Sequence, residues 1–120
     1  MLTGAEVQHV DATKAADLKA ALAGRQTVIS ALSYHHNPAV ATAALECGAS
    51  YFDLTEDVAT SDAVAAIAEK AVDGQIFMPQ CGLAPGFISI VANDLINWFE
   101  RVEAVKMRVG ARSRSFPRAN

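Results

Sequence analysis

Several features by which protein functions are commonly recognised are missing from this sequence. It contains neither a G-x-G-x-x-G motif nor a Walker-type phosphate loop, so it carries no recognisable glycine cradle for a diphosphate. No apolar run approaches the ~18 residues needed to cross a bilayer, so we expect no membrane span. Residues 1–6 lack the basic and apolar regions of a signal peptide. These absences predict a soluble, cytoplasmic protein.

Cysteine and positive charge are also scarce. Two cysteines, Cys47 and Cys81, provide neither a disulfide framework nor a metal signature. His35 and His36 are adjacent, so their side chains diverge, and no third ligand lies at a helpful spacing. We therefore predict no metal site. The formal net charge of −3 gives no electrostatic argument for a nucleic-acid partner.

Hydrophobic residues, by contrast, make up 52% of the 120 residues. A chain of this size forms one domain and buries roughly two-thirds of its unfolded surface. Short apolar runs alternate with helix-length segments. The predicted strands are residues 7–10, 27–32, 50–54, 75–79 and 102–110, and the predicted helices are residues 14–23, 38–47, 61–71 and 86–99. This order indicates βαβ units, and hence an α/β fold with a parallel sheet of about four strands, flanking helices and a fifth strand that leaves the sheet.

Residues 80–86 connect the fourth predicted strand to the last helix, at the edge where open α/β sheets bind ligands. Gly82 and Gly86 permit a close ligand approach or a positive φ, and Pro85 favours a helix start at Pro85 or Gly86. The first amides of that helix lack intrahelical partners and could hold a carboxylate. A structural turn without a ligand explains the same residues equally well.

Three carboxylates follow the strand at residues 50–54, namely Asp53, Glu56 and Asp57. A carboxylate at this edge could bind a substrate ammonium group or act as a general base. The alternative is that Glu56 and Asp57 are solvated and favour the start of the next helix through its dipole.

Cys81 lies between a strand and a helix N-terminus, a position that can activate a thiol as a nucleophile. The alternative is a small cysteine that contacts a ligand or the core. Together with Asp53, Glu56 and Asp57, Cys81 completes the set of candidate catalytic residues.

Three segments, taken together, resemble a known family. Residues 28–32 read VISAL, residues 51–57 read YFDLTED, and residues 79–86 read PQCGLAPG. In this order they are similar to the saccharopine dehydrogenase family, especially to bacterial saccharopine dehydrogenase-like and lysine 6-dehydrogenase-like oxidoreductases. The resemblance covers about residues 5–110. It implies a Rossmann-like fold, NAD or NADP as cofactor, a role in lysine metabolism, and oxidation of the carbon–nitrogen bond of an amino acid or its imine adduct.

The resemblance also implies roles for individual residues. The implied cofactor-binding residues are Asp11, Ala12, Ser30, Ala31, Leu32 and Gly82. The implied substrate-binding residues are Cys81, Gly82, Pro85 and Gly86. Asp11 and Ala12 would lie on the adenine side of the cofactor, although Asp11 can equally serve as the N-cap of the following helix.

The expected domain organisation follows from the same resemblance. Residues 1–85 would form an incomplete Rossmann-like nucleotide-binding domain, because relatives carry the glycine motif in a βαβ unit upstream of the matching segments. Residues 86–110 would form a connecting helix and the first strand of a substrate and dimerisation domain, and residues 111–120 an irregular tail.

Two functions therefore remain open. The chain is either a fragment of an NAD(P)-dependent oxidoreductase acting on a small amino-acid substrate and inactive alone, or a non-catalytic α/β module that binds a small ligand or self-associates.

The predicted last helix carries apolar side chains that a second domain would cover. Without that domain, we expect them to be partly exposed; they are Phe87, Ile90, Val91, Leu95 and Trp98. Exposed apolar patches of this kind favour self-association. We therefore predict a homodimer or larger assembly, with exchanged helices as one route to it.

Overall fold

The computed structural model describes residues 4–110, so the predicted tail at residues 111–120 lies outside the described residues. The described elements are α1 (Ala15–Leu22), β1 (Thr27–Ser30), α2 (Asn37–Cys47), β2 (Ser50–Asp53), α3 (Val58–Ala68), β3 (Phe77–Met78) and α4 (Phe87–Ile96). A 3₁₀ turn, Tyr34–His36, leads into α2.

The three strands form one parallel sheet in the order β1-β2-β3. Thr27 pairs with Ser50 and Ser30 with Asp53, while Phe52 pairs with Met78. Strand, helix and strand alternate along the chain, as the spacing of the apolar runs predicts. The structure confirms the α/β class and the partial Rossmann-like sheet.

The predicted strand count was wrong in two places. Residues 7–10 form no strand, and Val7 is 95% exposed. Their alternating pattern has no neighbouring strand to pair with in the described part of the chain, and a lone β-prone segment gains little stability. Residues 102–110 alternate in hydrophobicity but likewise form no strand. The sheet accordingly has three strands, and the segment predicted to begin a second domain is irregular.

The helix ends follow local capping chemistry, with some shifts from prediction. α2 ends at Gly48, whose φ of 72° places it in the left-handed region, as predicted. The sequence Asn37-Pro38 predicts Asn37 as the N-cap of α2, but Asn37 is the first residue of the helix. Its buried side-chain oxygen accepts a 2.7 Å hydrogen bond from Ser30 Oγ. α3 begins at Val58 rather than at the predicted Thr60 or Ser61, because Asp57 caps it.

The core lies on one face of the sheet. α2 is rich in alanine, and its small side chains allow it to pack against α1, α3, β1 and β2 together. The buried apolar residues of this core are Leu18, Leu22, Val40, Ala41, Ala43, Ala44, Ala49, Tyr51 and Val64. Tyr51 stacks on Phe77 of the neighbouring strand, with ring centroids 6.0 Å apart.

The other face of the sheet and the residues after β3 are open. Because strand side chains alternate, Ile29, Phe52 and Met78 point away from the helices, and Ile29 is 69% exposed. The predicted exposure of the apolar side chains of the last helix is confirmed, since Trp98 is 73% and Phe87 is 60% exposed. None of the described helices is long and apolar enough to cross a membrane.

Two valines on α3 test the description of a core that lies on one face of the sheet. Val64 is fully buried, whereas Val58 is 67% exposed. Val64→Ala removes core contacts and leaves a cavity, so we expect it to lower the free energy of unfolding by about 2 kcal/mol. Val58→Ala should change it by less than about 0.5 kcal/mol. Urea denaturation followed by circular dichroism measures both, and equal effects would contradict the one-sided core.

Candidate functional site

An open cleft lies at the carboxyl end of β1 and β2, between the loops that follow these strands. Its volume is about 510 Å³. The lining residues are Ala31, Leu32, Tyr34, Leu54, Thr55, Glu56 and Asp57. Parallel strands bring their carboxyl ends to one edge, so two loops more than 20 positions apart in the sequence meet here. The structure therefore brings together four of the predicted site residues, namely Ala31, Leu32, Glu56 and Asp57.

Asp53 ends β2 but does not line this cleft. Its side chain is fully buried and accepts hydrogen bonds from Tyr51 Oη (2.7 Å), from the Thr55 N–H (2.9 Å) and from the Gln80 N–H (3.1 Å). Its backbone carbonyl accepts from the Cys81 N–H at 2.8 Å. Asp53 thus ties β2 to the loop after β2 and to the loop after β3, and its carboxylate is occupied in positioning them.

Tyr51 stays a neutral hydrogen-bond donor to this carboxylate. Burial raises the pKa of the Tyr51 phenol, and its hydrogen bond to Asp53 raises that pKa further. The phenol therefore remains protonated throughout the physiological range.

Asp57 is the N-cap of α3, in agreement with the alternative interpretation of this residue. Its side chain accepts a 2.8 Å hydrogen bond from the Thr60 N–H, while its own N–H donates to Thr55 Oγ1 at 3.1 Å. The Thr60 side chain, and then this backbone hydrogen bond, hold the pKa of the Asp57 carboxyl below its usual range. Stabilising the charged form in this way suits a cap and opposes service as a base.

Glu56 is the third predicted carboxylate. It is exposed and lines the cleft. Unlike Asp53 and Asp57, its carboxylate accepts no hydrogen bond from the described residues. Of the three carboxylates, Glu56 is therefore the one that can face a ligand in this cleft.

The loop at residues 80–86 is held by backbone contacts. A side chain at Gly82 would meet the Leu54 carbonyl oxygen at 3.0 Å. Gly86 has a φ of 124°, and a Cβ there would overlap the Gly82 carbonyl. Both glycines thus allow the loop to pack on itself and on the end of β2.

Of the two interpretations of the loop before α4, the backbone hydrogen bonds favour the structural turn over a carboxylate site. The helix begins at Phe87, and its first amides already have partners. The Phe87, Ile88 and Ser89 N–H groups donate to the carbonyls of Gly82, Leu83 and Gly86 at 2.9 to 3.1 Å. Because the preceding loop folds back over the helix end, these donors are not available to a carboxylate.

The remaining predicted residues lie outside the cleft lining. Ser30 is buried against α2 through its bond to Asn37. Cys81 is exposed, and its thiol donates to the Met78 carbonyl at 3.4 Å. Pro85 and Gly86 belong to the turn before α4.

Asp11 and Ala12 lie in the turn before α1 and do not line the cleft. The Asp11 carboxylate accepts from the Thr13 hydroxyl and backbone and pairs with Lys14 Nζ at 3.3 Å, but it does not cap the helix. Ala12 packs against the core.

Tyr34, Leu54 and Thr55 were not predicted as site residues. Leu54 and Thr55 sit within the acidic segment that was singled out, and Tyr34 belongs to the loop after β1. These three residues are identified as cleft residues because they lie beside the carboxyl ends of β1 and β2. This position can be recognised only once the parallel pairing of β1 and β2 is known.

A parallel sheet with crossover helices between its strands and a cleft at its carboxyl edge defines a Rossmann-like domain of the nucleotide-binding class. The sequence profile of the family described as "Saccharopine dehydrogenase NADP binding domain" matches residues 3–78. The chain belongs to this family of NADP-binding domains. No solved structure matches the chain.

The hydrogen bond from Tyr51 to Asp53 should contribute measurably to the free energy of unfolding. Tyr51→Phe leaves one oxygen of a buried carboxylate without its donor, so we expect the free energy of unfolding to fall by about 1–3 kcal/mol. Tyr34→Phe alters a half-exposed ring and should change it by less than about 0.5 kcal/mol. Chemical denaturation of both variants measures the difference, and an equal loss in the two would contradict the role given to Asp53.

The Asp57 cap predicts a pH dependence. Since its folded pKa lies below the ordinary 3.8, the stabilisation is present at neutral pH and is lost as the pH falls through the folded pKa. Asp57→Asn keeps a capping oxygen but cannot titrate. We expect its melting temperature to fall less than that of the unmodified chain between about pH 7 and pH 3. Asp62→Asn, an exposed position on the same helix, should behave like the unmodified chain. An unchanged acid response in Asp57→Asn would refute the cap's contribution.

Proposed function

We propose that the cleft holds the nicotinamide–ribose end of NAD or NADP together with the amino group of a small amino-acid substrate. The observation that carries this proposal is Glu56, an exposed carboxylate in the cleft at the carboxyl edge of an NADP-binding family domain. A carboxylate accepts hydrogen bonds from ribose hydroxyls and from an ammonium group.

The same cleft fits the diphosphate poorly. Its lining includes no lysine or arginine, and it carries the acidic Glu56 and Asp57. The amides at the start of α4 are already bonded, and Asp57 occupies the start of α3. A diphosphate would therefore meet negative charge without compensating donors among the described residues of this cleft. This lining accommodates the nicotinamide–ribose end of the cofactor and the substrate ammonium group better than the diphosphate.

The resulting chemistry is that of an oxidoreductase acting on the carbon–nitrogen bond of an amino acid or its imine adduct. When bound, the cofactor supplies the hydride acceptor. Glu56 would hold the substrate ammonium group by a charge-assisted hydrogen bond and receive the proton that the amine loses. Leu32 and Leu54 would shield this contact from water.

We further propose that this chain alone does not complete the reaction. Without the glycine cradle, the cofactor loses its main anchor, so binding is weak and the nicotinamide is poorly oriented. The absence of the G-x-G-x-x-G motif also favours a second candidate, a non-catalytic module that binds a small amine-bearing ligand in the same cleft.

Nucleotide titration tests the proposal. Because no diphosphate contact is proposed, NAD⁺, NADP⁺ and nicotinamide riboside should bind with Kd values within about threefold, on the order of 1 mM or −4 kcal/mol. Chemical-shift perturbation by NMR measures all three. Ala31→Trp should block the cleft and abolish binding, whereas Ala66→Trp, on the exposed side of α3, should not.

Two results would count against it. If none of the three ligands saturates the chain up to about 10 mM, the cleft does not bind the nicotinamide–ribose end of the cofactor as proposed. Binding of NAD⁺ about 100-fold tighter than the riboside would show a diphosphate contact elsewhere.

A further inference from the structure

The open side of the sheet is an apolar surface. Four of its large side chains, which we call the open face, are Ile29, Leu54, Ile76 and Met78, and they are 50–69% exposed. All-parallel sheets occur almost only with both faces covered. Here α1, α2 and α3 cover one face only, so the second face lacks a layer.

α4 is the complementary case, an apolar helix whose side chains remain exposed although residues 102–110 run beside part of it. Its exposed side chains are Phe87, Ile90, Val91 and Leu95, and Trp98 follows one turn later. These positions recur at helical spacing and form one stripe. Within residues 4–110, α4 makes no extensive contact with the sheet or with α1, α2 or α3.

A closed turn precedes α4. The Cys81 N–H is tied to the Asp53 carbonyl, and the Phe87 N–H is tied to the Gly82 carbonyl. Gly86 has no space for a side chain. This closed turn holds the start of α4 to the end of β2. The radius of gyration of 17.9 Å exceeds the about 13–14 Å of a compact chain of this length, so the chain is extended.

We propose that α4 of a second copy of this chain covers the open face, and that the exchange is reciprocal, giving a two-fold symmetric dimer. In such a dimer, the α4 helix of each chain covers the open face of the other chain's sheet. The same contact buries the exposed apolar side chains of both α4 helices. The dimensions agree, since ten helical residues span about 15 Å and four strand residues about 13 Å.

The exposed area is sufficient for such a dimer. Taking roughly 200 Å² for a fully exposed large apolar side chain, the nine side chains of the open face and the α4 stripe present on the order of 1,000 Å² per chain. Stable complexes bury about 800 Å² per partner, so the two surfaces together are large enough for a stable dimer.

Pairing of two copies through residues 105–109 is disfavoured. This segment alternates Val105, Met107 and Val109 with Lys106 and Arg108. An antiparallel pair centred on Met107 would place Lys106 opposite Arg108, and like charges directly opposite destabilise a strand pair. The open face offers α4 an apolar partner without this conflict.

The test is the molar mass of the full chain by size-exclusion chromatography with light scattering across micromolar concentrations. We expect twice the 12.7 kDa of one chain. Ile29→Asp on the open face and Ile90→Asp on α4 should each produce a monomer, since both side chains are 69% exposed and neither supports the core. Val72→Asp, at an exposed valine outside both surfaces, should remain dimeric.

Mixing the two monomeric variants provides a sharper test. The Ile29→Asp chain retains an intact α4, and the Ile90→Asp chain retains an intact open face, so an equimolar mixture should recover dimers through one intact contact. A monomeric unmodified chain overturns the proposal. A dimeric Ile29→Asp chain overturns it in favour of contact between two α4 segments, and dissociation by Val72→Asp overturns it in favour of non-specific association.

Discussion

The buried carboxylate of Asp53 is the contact on which the geometry of both ligand-side loops depends. Burying a charge is costly unless donors surround it, and Asp53 receives one from a phenol and two from backbone amides. Each amide belongs to a different loop, so one residue at the end of β2 fixes the chain before α3 and the chain before α4. Tyr51 supports this arrangement by remaining protonated, because burial and the neighbouring carboxylate both oppose its ionisation.

The cleft follows from this arrangement. With Asp53 turned toward the helices, the next residues leave the sheet so that Leu54 and Glu56 border the opening, while Asp57 is committed to α3. Three carboxylates within five residues therefore have three different environments. Asp53 is buried, fully bonded and organises loops, Asp57 caps a helix, and Glu56 is exposed and lines the cleft.

A one-sided parallel sheet has consequences beyond the cleft. The alanine-rich α2 and its neighbours give the chain a dense core on one face, but the opposite face retains Ile29 and Met78 in contact with solvent. The closed turn at Gly82 and Gly86 then leads into another apolar element, α4, whose side chains are also exposed. An exposed sheet and an exposed helix in the same chain are the physical basis for expecting a second copy.

The sequence by itself determined the class of fold and the family. Apolar runs separated by helix-length segments specify βαβ units, and Gly48 stops α2 because it readily adopts a positive φ. The segments at residues 28–32 and 51–57 lie within the family match at residues 3–78, which confirms the family, whereas residues 79–86 lie outside that match. These features are local, so they can be recognised without knowing which residues touch.

Only the tertiary structure decided the rest. Residues 7–10 and 102–110 have strand-like patterns, but a strand exists only where a neighbour accepts its hydrogen bonds. Whether the first amides of α4 were free for a ligand stayed open in the sequence, because nothing local showed that the preceding loop bonds to them. Asp53, Glu56 and Asp57 are indistinguishable by residue type and spacing, and their roles separate only through burial and through partners such as Gln80, 27 positions away.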